Sequence, residues 1–503
     1  MTADAATGTR PRRIVLVLPT ETYRAADFIA AAAEVADPGL AHRIRGVEDW
    51  RSDYLAPARE LVAVGGRSSV ASSLISAAGL DRLWSDFRWV VDGTDHPIVA
   101  AAELGQGGFA TRSFVGGAEP RRGFAVPYHG RELEGSDLRA QARRWVDAGV
   151  AEPSLLPALD AANSHPEWFD LSRTTVVVLG AGAELAPLRE LLSWGAQVLA
   201  VDLPDADRWR RIIAAAEGTP GVLHVPVPRG VSVAASGADA DEVAQVAGAD
   251  LLTRLPDVAA WIAGFDGPVV LGNYLYADGA TNVRLSVASD ALARFLSDRG
   301  SDPILAFLAT PTDAFQVGAD VVLDSRQRWD RHLLARATRW PLRLANLFQP
   351  NYPSVLRDDD GRDYAVADCL VPQQGPNYLL AKRMQRWRAV VNRESGLRVS
   401  LNVAPATRTR SVVKNRLLAA AYAGAGRFGM EIFEPDTTNA LMAALLVRDL
   451  NDPASATNPD VVLTHPSQMF TEAATHGGLW RSAFSARSVL GVAAVVGMIE
   501  RAA

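Results

Sequence analysis

The fold predicted from the sequence is a doubly wound parallel α/β sheet, Rossmann-like, preceded by a smaller α/β domain. Three observations predict it. Short apolar runs alternate with helix-like stretches, a glycine turn follows one of those runs, and 503 residues exceed what a single hydrophobic core usually organises.

Taken in order, RIVLVLP at 13–19 reads as a strand and TYRAADFIAAAAEVA as a helix, and the alternation continues through ELVAVGG and SSVASSLISAAG. These give an N-terminal α/β domain over 1–165. Residues 109–127, FATRSFVGGAEPRRGFAVP, are rich in Gly, Pro and Arg and read as a loop. A second series starts at Thr174: the buried strand TTVVVLG, a glycine turn, the helix ELAPLRELLSWG, and the strand QVLAVDLP. VLHVPVP, PVVLGNYLY, ILAFLAT and LRVSLNVAP follow as further strands, with helix-like stretches such as SVASDALARFLSDRG between them. Strands separated by helices imply parallel pairing, so 166–503 is expected to form the Rossmann-like domain. Residues 313–370 break the strand-helix beat and read as a helical insertion or lid.

Composition narrows the function classes. Apolar residues make up 48% and charged residues 21%, and the apolar run VLGVAAVVGMI is too short to span a bilayer. The first residues, MTADAATGTRPRR, hold no apolar signal region, so cytoplasmic residence is expected. A single cysteine, Cys369, and eight scattered histidines offer no metal-ligand spacing, so no metal is expected. The net charge of -6, with no basic block, argues against nucleic acid. The expected partner is a small-molecule substrate; no membrane is implied, and a homo-oligomer is compatible with the chain.

The segment VVVLGAGAELAPLRELLSWGAQVLAVD has the layout of a dinucleotide-binding βαβ unit. Gly180 permits the tight turn, Gly182 lets the backbone approach a pyrophosphate, and Asp202 ends the second strand. An acid there binds both ribose hydroxyls and repels a 2′-phosphate, so NAD is expected ahead of NADP. Read as GxGxxG, the motif has Leu185 at its third glycine; read as GxxxGxG, it has Glu184 and Ala186 in place of glycines.

GPNYLLAKRMQRWRAVV, at 375–391, carries the candidate chemistry. Leu380, Met384, Trp387 and Val391 form an apolar stripe, while Tyr378 and Lys382 lie one turn apart on a different face. Of 51 basic residues only Lys382 and Lys414 are lysine, and with 9 tyrosines chance supplies about 0.04 such YxxxK pairs. A lysine kept at this position points to a compact ammonium where a forked guanidinium does not serve. Lys414 and His476 read as a surface charge and a structural turn histidine.

The YxxxK helix, the strand after it and the loop APATRTRSV together resemble the short-chain dehydrogenase/reductase superfamily. The resemblance covers about 174–425. It implies Tyr378 as general acid/base and Lys382 as the group that lowers its pKa and binds the nicotinamide ribose. It also implies Pro405 to Thr409 as the nicotinamide-side loop, with Ala406 in place of the usual glycine. The family's serine falls on Thr310 or Thr312 if ILAFLATPTD is the preceding strand; if YAVADCLV is that strand, only Asp368 and Cys369 stand at its end. Asn273 is the nearest equivalent of the family's Asn-Asn-Ala-Gly signature. The implied function is a nicotinamide-dependent ketoreductase or alcohol dehydrogenase. An NAD-retaining epimerase or dehydratase would use the same pair, and a non-catalytic dinucleotide sensor is the other class the motifs allow.

Overall fold

The computed structural model describes residues 14–17, 24–100, 107–231, 239–300, 302–331 and 347–502. Strands β1 (Ile14–Val17), β2 (Arg88–Val91) and β3 (Thr94–Pro97) form an antiparallel sheet. β4 (Phe109–Val115) stands apart from it, and β5 (Val126–Tyr128) and β6 (Arg131–Leu133) make a hairpin. The expected second series follows as β7 (Thr175–Leu179), β8 (Gln197–Val201), β9 (Val222–Pro228), β10 (Val269–Asn273) and β11 (Ile304–Ala309). Then come β12 (Ala314–Gly318), β13 (Leu356–Arg357), β14 (Asp363–Asp368) and β15 (Val399–Val403).

The central sheet has seven strands in the order β15-β11-β10-β7-β8-β9-β4. Six are parallel and β4 is antiparallel to β9. The sheet runs outward from β7 in both directions, which is the doubly wound arrangement. Its strands read as continuous apolar runs because both faces are covered: Val177, Leu179, Leu199 and Leu271 enter one core, while Val176, Val178, Val198 and Val270 enter the other. Helices Ala25–Glu34, Leu251–Ile262, Ala280–Asp298 and Pro376–Glu394 cover the first face. Helices Gly135–Ala148, Leu155–Ser164, Ala206–Ala214 and Pro435–Asn451 cover the second.

Several elements differ from the sequence reading. FATRSFV is the edge strand β4 rather than a loop, and ELVAVG is the last part of the helix Leu55–Gly65. Material from before residue 165 is therefore built into the central sheet and its first core. The helix Ser69–Asp86 packs so closely on Pro376–Glu394 that a Cβ on Gly79 would lie 2.5 Å from the Trp387 ring. The expected helical insertion holds an antiparallel sheet of order β12-β14-β13 and one helix, Ala319–Arg331, among the described residues. Among the described residues no helix is long and apolar enough to cross a membrane.

Candidate functional site

Parallel strands bring their C-terminal ends to one edge, and the strand order reverses between β7 and β10, where a ligand crevice forms in sheets of this kind. Gly180, Asp202, Thr310 and Ala404 directly follow β7, β8, β11 and β15, and Asn273 closes β10. Gly180, Asp202, Asn273 and Thr310 thus share one edge. Of the two candidate strands before the YxxxK helix, ILAFLA is β11 in the central sheet, whereas YAVAD belongs to β14 in the small sheet.

At the β11 end four predicted residues come together. The helix Pro376–Glu394 begins with proline at its first position after Gly375, at φ 78°, and Tyr378 and Lys382 follow one turn apart. The stripe behind them is buried, with Leu380 at 0% exposure and Met384 and Trp387 scarcely more. The Thr310 hydroxyl lies beside Tyr378 and acts to favour its ionised form. The Thr310 hydroxyl is 2.9 Å from that of Thr312, which also accepts a hydrogen bond from the Gln374 amide. Lys382 donates to the Leu308 carbonyl and to Gln385 Oε1, each at 3.1 Å. The Tyr276 ring stands edge-on to Tyr378, with centroids 6.1 Å apart.

Protonation differs from the expectation. Burial pushes the Tyr378 phenol up to about 12 and the Lys382 ammonium down to about 8. Burial is the largest influence on the tyrosine, whose ring centroid lies 6.0 Å from the Lys382 Nζ. Tyr378 is therefore a protonated phenol at neutral pH.

A buried ion cluster fixes this end. Asp313, 1% exposed, accepts from Arg383 Nη2 at 2.7 Å and from Arg386 Nη1 at 3.0 Å. Arg386 also donates to the Ala314 carbonyl and lies over the rings of Phe315 and Phe470. Asp313 stands three residues after Thr310, and Arg383 follows Lys382, so the cluster ties the threonine loop to the tyrosine helix. Sequence reasoning missed it; the only signal was Arg383 and Arg386 at helical spacing on a helix otherwise packed by apolar side chains.

The β7–β8 end is built differently. Gly180, at φ 80°, makes the tight turn, and a Cβ there would come 3.0 Å from the Tyr274 carbonyl oxygen. The Gly182 N–H donates to Asp202 Oδ2 at 2.7 Å, while Asp202 Oδ1 accepts from the Leu203 N–H at 2.7 Å and from Arg208 at 2.5 Å. A Cβ on Gly182 would lie 2.7 Å from Arg208 Cγ, so only glycine leaves room for this arginine. The expectation of NAD over NADP rested on an unopposed acid, and Arg208 removes that ground by neutralising it. The expected helix is also shorter, Leu188–Ser193, because Pro187 disfavours helical backbone at Ala186.

Glu184, which replaces a glycine of the longer motif, turns to the loop after β15: its carboxylate accepts from the Arg410 N–H at 2.8 Å. Pro405 in that loop is buried, and its carbonyl accepts from the Thr407 hydroxyl at 2.8 Å. Thr409, partly exposed, precedes the short helix Arg410–Val413, with its hydroxyl 3.0 Å from that of Ser411. Asn273 is 3% exposed and uses both ends of its amide within the protein, donating to the Ser289 hydroxyl and accepting from the Leu275 N–H. Its observed contacts hold the turn after β10. Lys414 is exposed, and His476, fully buried, pairs with Glu152 at 3.0 Å.

No protein-family model matches the chain, and no curated protein is a match. Among solved structures it is similar to FolM alternative dihydrofolate reductase 1 from Brucella canis, complexed with NADP, at 11% identity and a TM-score of 0.30, over 60% of this chain and 96% of that one. It is also similar to the terminal R domain from the myxalamid PKS-NRPS biosynthetic pathway, at 12% identity and a TM-score of 0.28, over 54% of this chain and 61% of that one.

Proposed function

We propose that this chain is a dinucleotide-dependent oxidoreductase of the short-chain dehydrogenase/reductase type, working as a carbonyl reductase with Tyr378 as its proton donor. The observation that carries the reading is the Thr310–Tyr378–Lys382 cluster at the end of β11, on the same edge of a doubly wound sheet as the Gly180 turn. When bound, a nicotinamide dinucleotide supplies hydride. The exposed backbone at Gly182, with Asp202 and Arg208, would hold its adenosine end. A 2′-phosphate is compatible with Arg208, so NADP is as well served as NAD.

A protonated phenol suits reduction. Tyr378 gives its proton to the oxygen of the substrate carbonyl, with Thr310 beside it to orient the same oxygen. The phenolate left behind lies near the Lys382 ammonium, which favours it until solvent returns the proton. Lys382 loses its charge above about pH 8, so turnover falls on that side. The test is Tyr378→Phe, assayed by loss of the NADPH absorbance across a panel of carbonyl compounds. The reading expects cofactor binding to persist and turnover to drop by about a hundredfold or more; a fully active variant overturns it.

A further inference from the structure

A cavity of about 500 Å³ lies where three parts of the chain meet: Arg59 from the helix Leu55–Gly65, the segment 349–368, and residues 485–488 near the C-terminus. Its charged lining residues are Arg59, Asp368 and Arg487. Asp368 is grasped by both ends of the Arg487 guanidinium, one contact being 2.9 Å, and Arg487 also donates to the Leu370 carbonyl. That carboxylate is taken. Arg59 is not: its Nε is 4.0 Å from Asp368 Oδ2, and it makes no hydrogen bond among the described residues. Two guanidinium groups against one carboxylate leave the cavity a net positive charge. Tyr352, Leu356 and Val366 supply apolar wall beside it.

We infer that this cavity binds a small organic oxyanion, a carboxylate or phosphate carried on a partly apolar body, with Arg59 as the principal anchor. A guanidinium with unspent donors matches a planar or tetrahedral oxyanion in two-point fashion, and a volume of this size suits a small metabolite. The site stands beside the candidate chemistry. Asp368 pairs with Ala314 across β12 and β14, and Ala314 is two residues from Thr312, so Asp368 and Thr312 are within about 12 Å of one another. The anion is thereby assigned to the non-reacting end of the substrate; that assignment rests on the oxidoreductase reading, whereas anion binding does not.

The experiment is calorimetric titration of the full chain, without cofactor and at constant ionic strength, with succinate as the carboxylate probe and phenyl phosphate as the phosphate probe. Saturable one-site binding of either is expected, the tighter one naming the preferred headgroup. Arg59→Ala should weaken it at least tenfold, and with no hydrogen bond to lose this variant keeps its fold. Asp368→Asn should tighten binding severalfold by removing the competing carboxylate. Tyr378→Phe should leave binding unchanged. No saturable binding of either probe, or binding that Arg59→Ala does not alter, overturns the inference. Binding that persists while the wild-type chain reduces no carbonyl compound removes the oxidoreductase reading and leaves the anion site standing.

Discussion

The two ends of the sheet edge are held by opposite means. At the β11 end, Thr310, Thr312, Tyr378 and Lys382 rest on Asp313, whose carboxylate is shut in with two arginines whose side chains are 5% and 9% exposed. At the β7–β8 end, the glycine turn rests on Asp202 and an Arg208 side chain that is 30% exposed. A buried ion cluster has discrete geometry and costs heavily to disturb, while a half-exposed arginine can move aside for a ligand. In the proposed reaction the rigid end would serve proton transfer, where placement within tenths of an ångström matters, and the adaptable end a cofactor that must enter and leave.

The largest break in this comparison is expected from Asp313→Ala. It leaves two buried guanidinium groups without a counter-ion and should destabilise the fold by about 3–5 kcal/mol, against about 1–2 kcal/mol for Asp202→Ala, both read from urea unfolding. Equal costs would erase the distinction between the two ends.

Next in size is a pH effect at the glycine-turn end. Glu190, in the short helix Leu188–Ser193, has its carboxyl pushed up to about 7 by burial and by nearby Asp436. Its folded value is above the ordinary 4.5, so its stabilising effect is full below pH 4.5 and is lost as pH rises through 7. Glu190→Gln should remove that slope and add about 1–2 kcal/mol above pH 7, as thermal unfolding at pH 5 and pH 8 would show. An unchanged slope would place the titration elsewhere.

The smallest effect is one of selectivity. Arg208→Ala should lower affinity for NADP about tenfold more than for NAD, measured by fluorescence titration. A parallel loss for both would make Arg208 a brace for Asp202 alone.

The strands of the central sheet were legible because each is buried on both faces, so that TVVVL and QVLAV stand out as uninterrupted apolar runs. The edge strand β4 was not: FATRSFV is half-exposed along its length, carries Arg112, and sits among glycines and prolines. β12 was hidden for a related reason, since AFQVG is short and its pairing with β14 crosses an interruption of about 45 residues. The YxxxK spacing and the hydroxyls after β11 could be read locally. Their support could not, because the contact from Asp313 to Arg383 spans 70 residues and exists only once β11 and the tyrosine helix have packed. Arg208 was missed likewise: the motif fixes the acid at the end of β8 but says nothing of the helix six residues on that neutralises it.

In the proposed reaction, hydride delivery and the Tyr378 proton meet on one substrate carbonyl. Reduction of a carbonyl probe by the full chain with NADPH deuterated at the transferred position, followed by mass spectrometry of the product alcohol, tests it most directly. One deuterium on the former carbonyl carbon is expected with the wild-type chain and almost no product with Tyr378→Phe; an alcohol free of deuterium, or equal labelled product from both chains, overturns the proposed reaction.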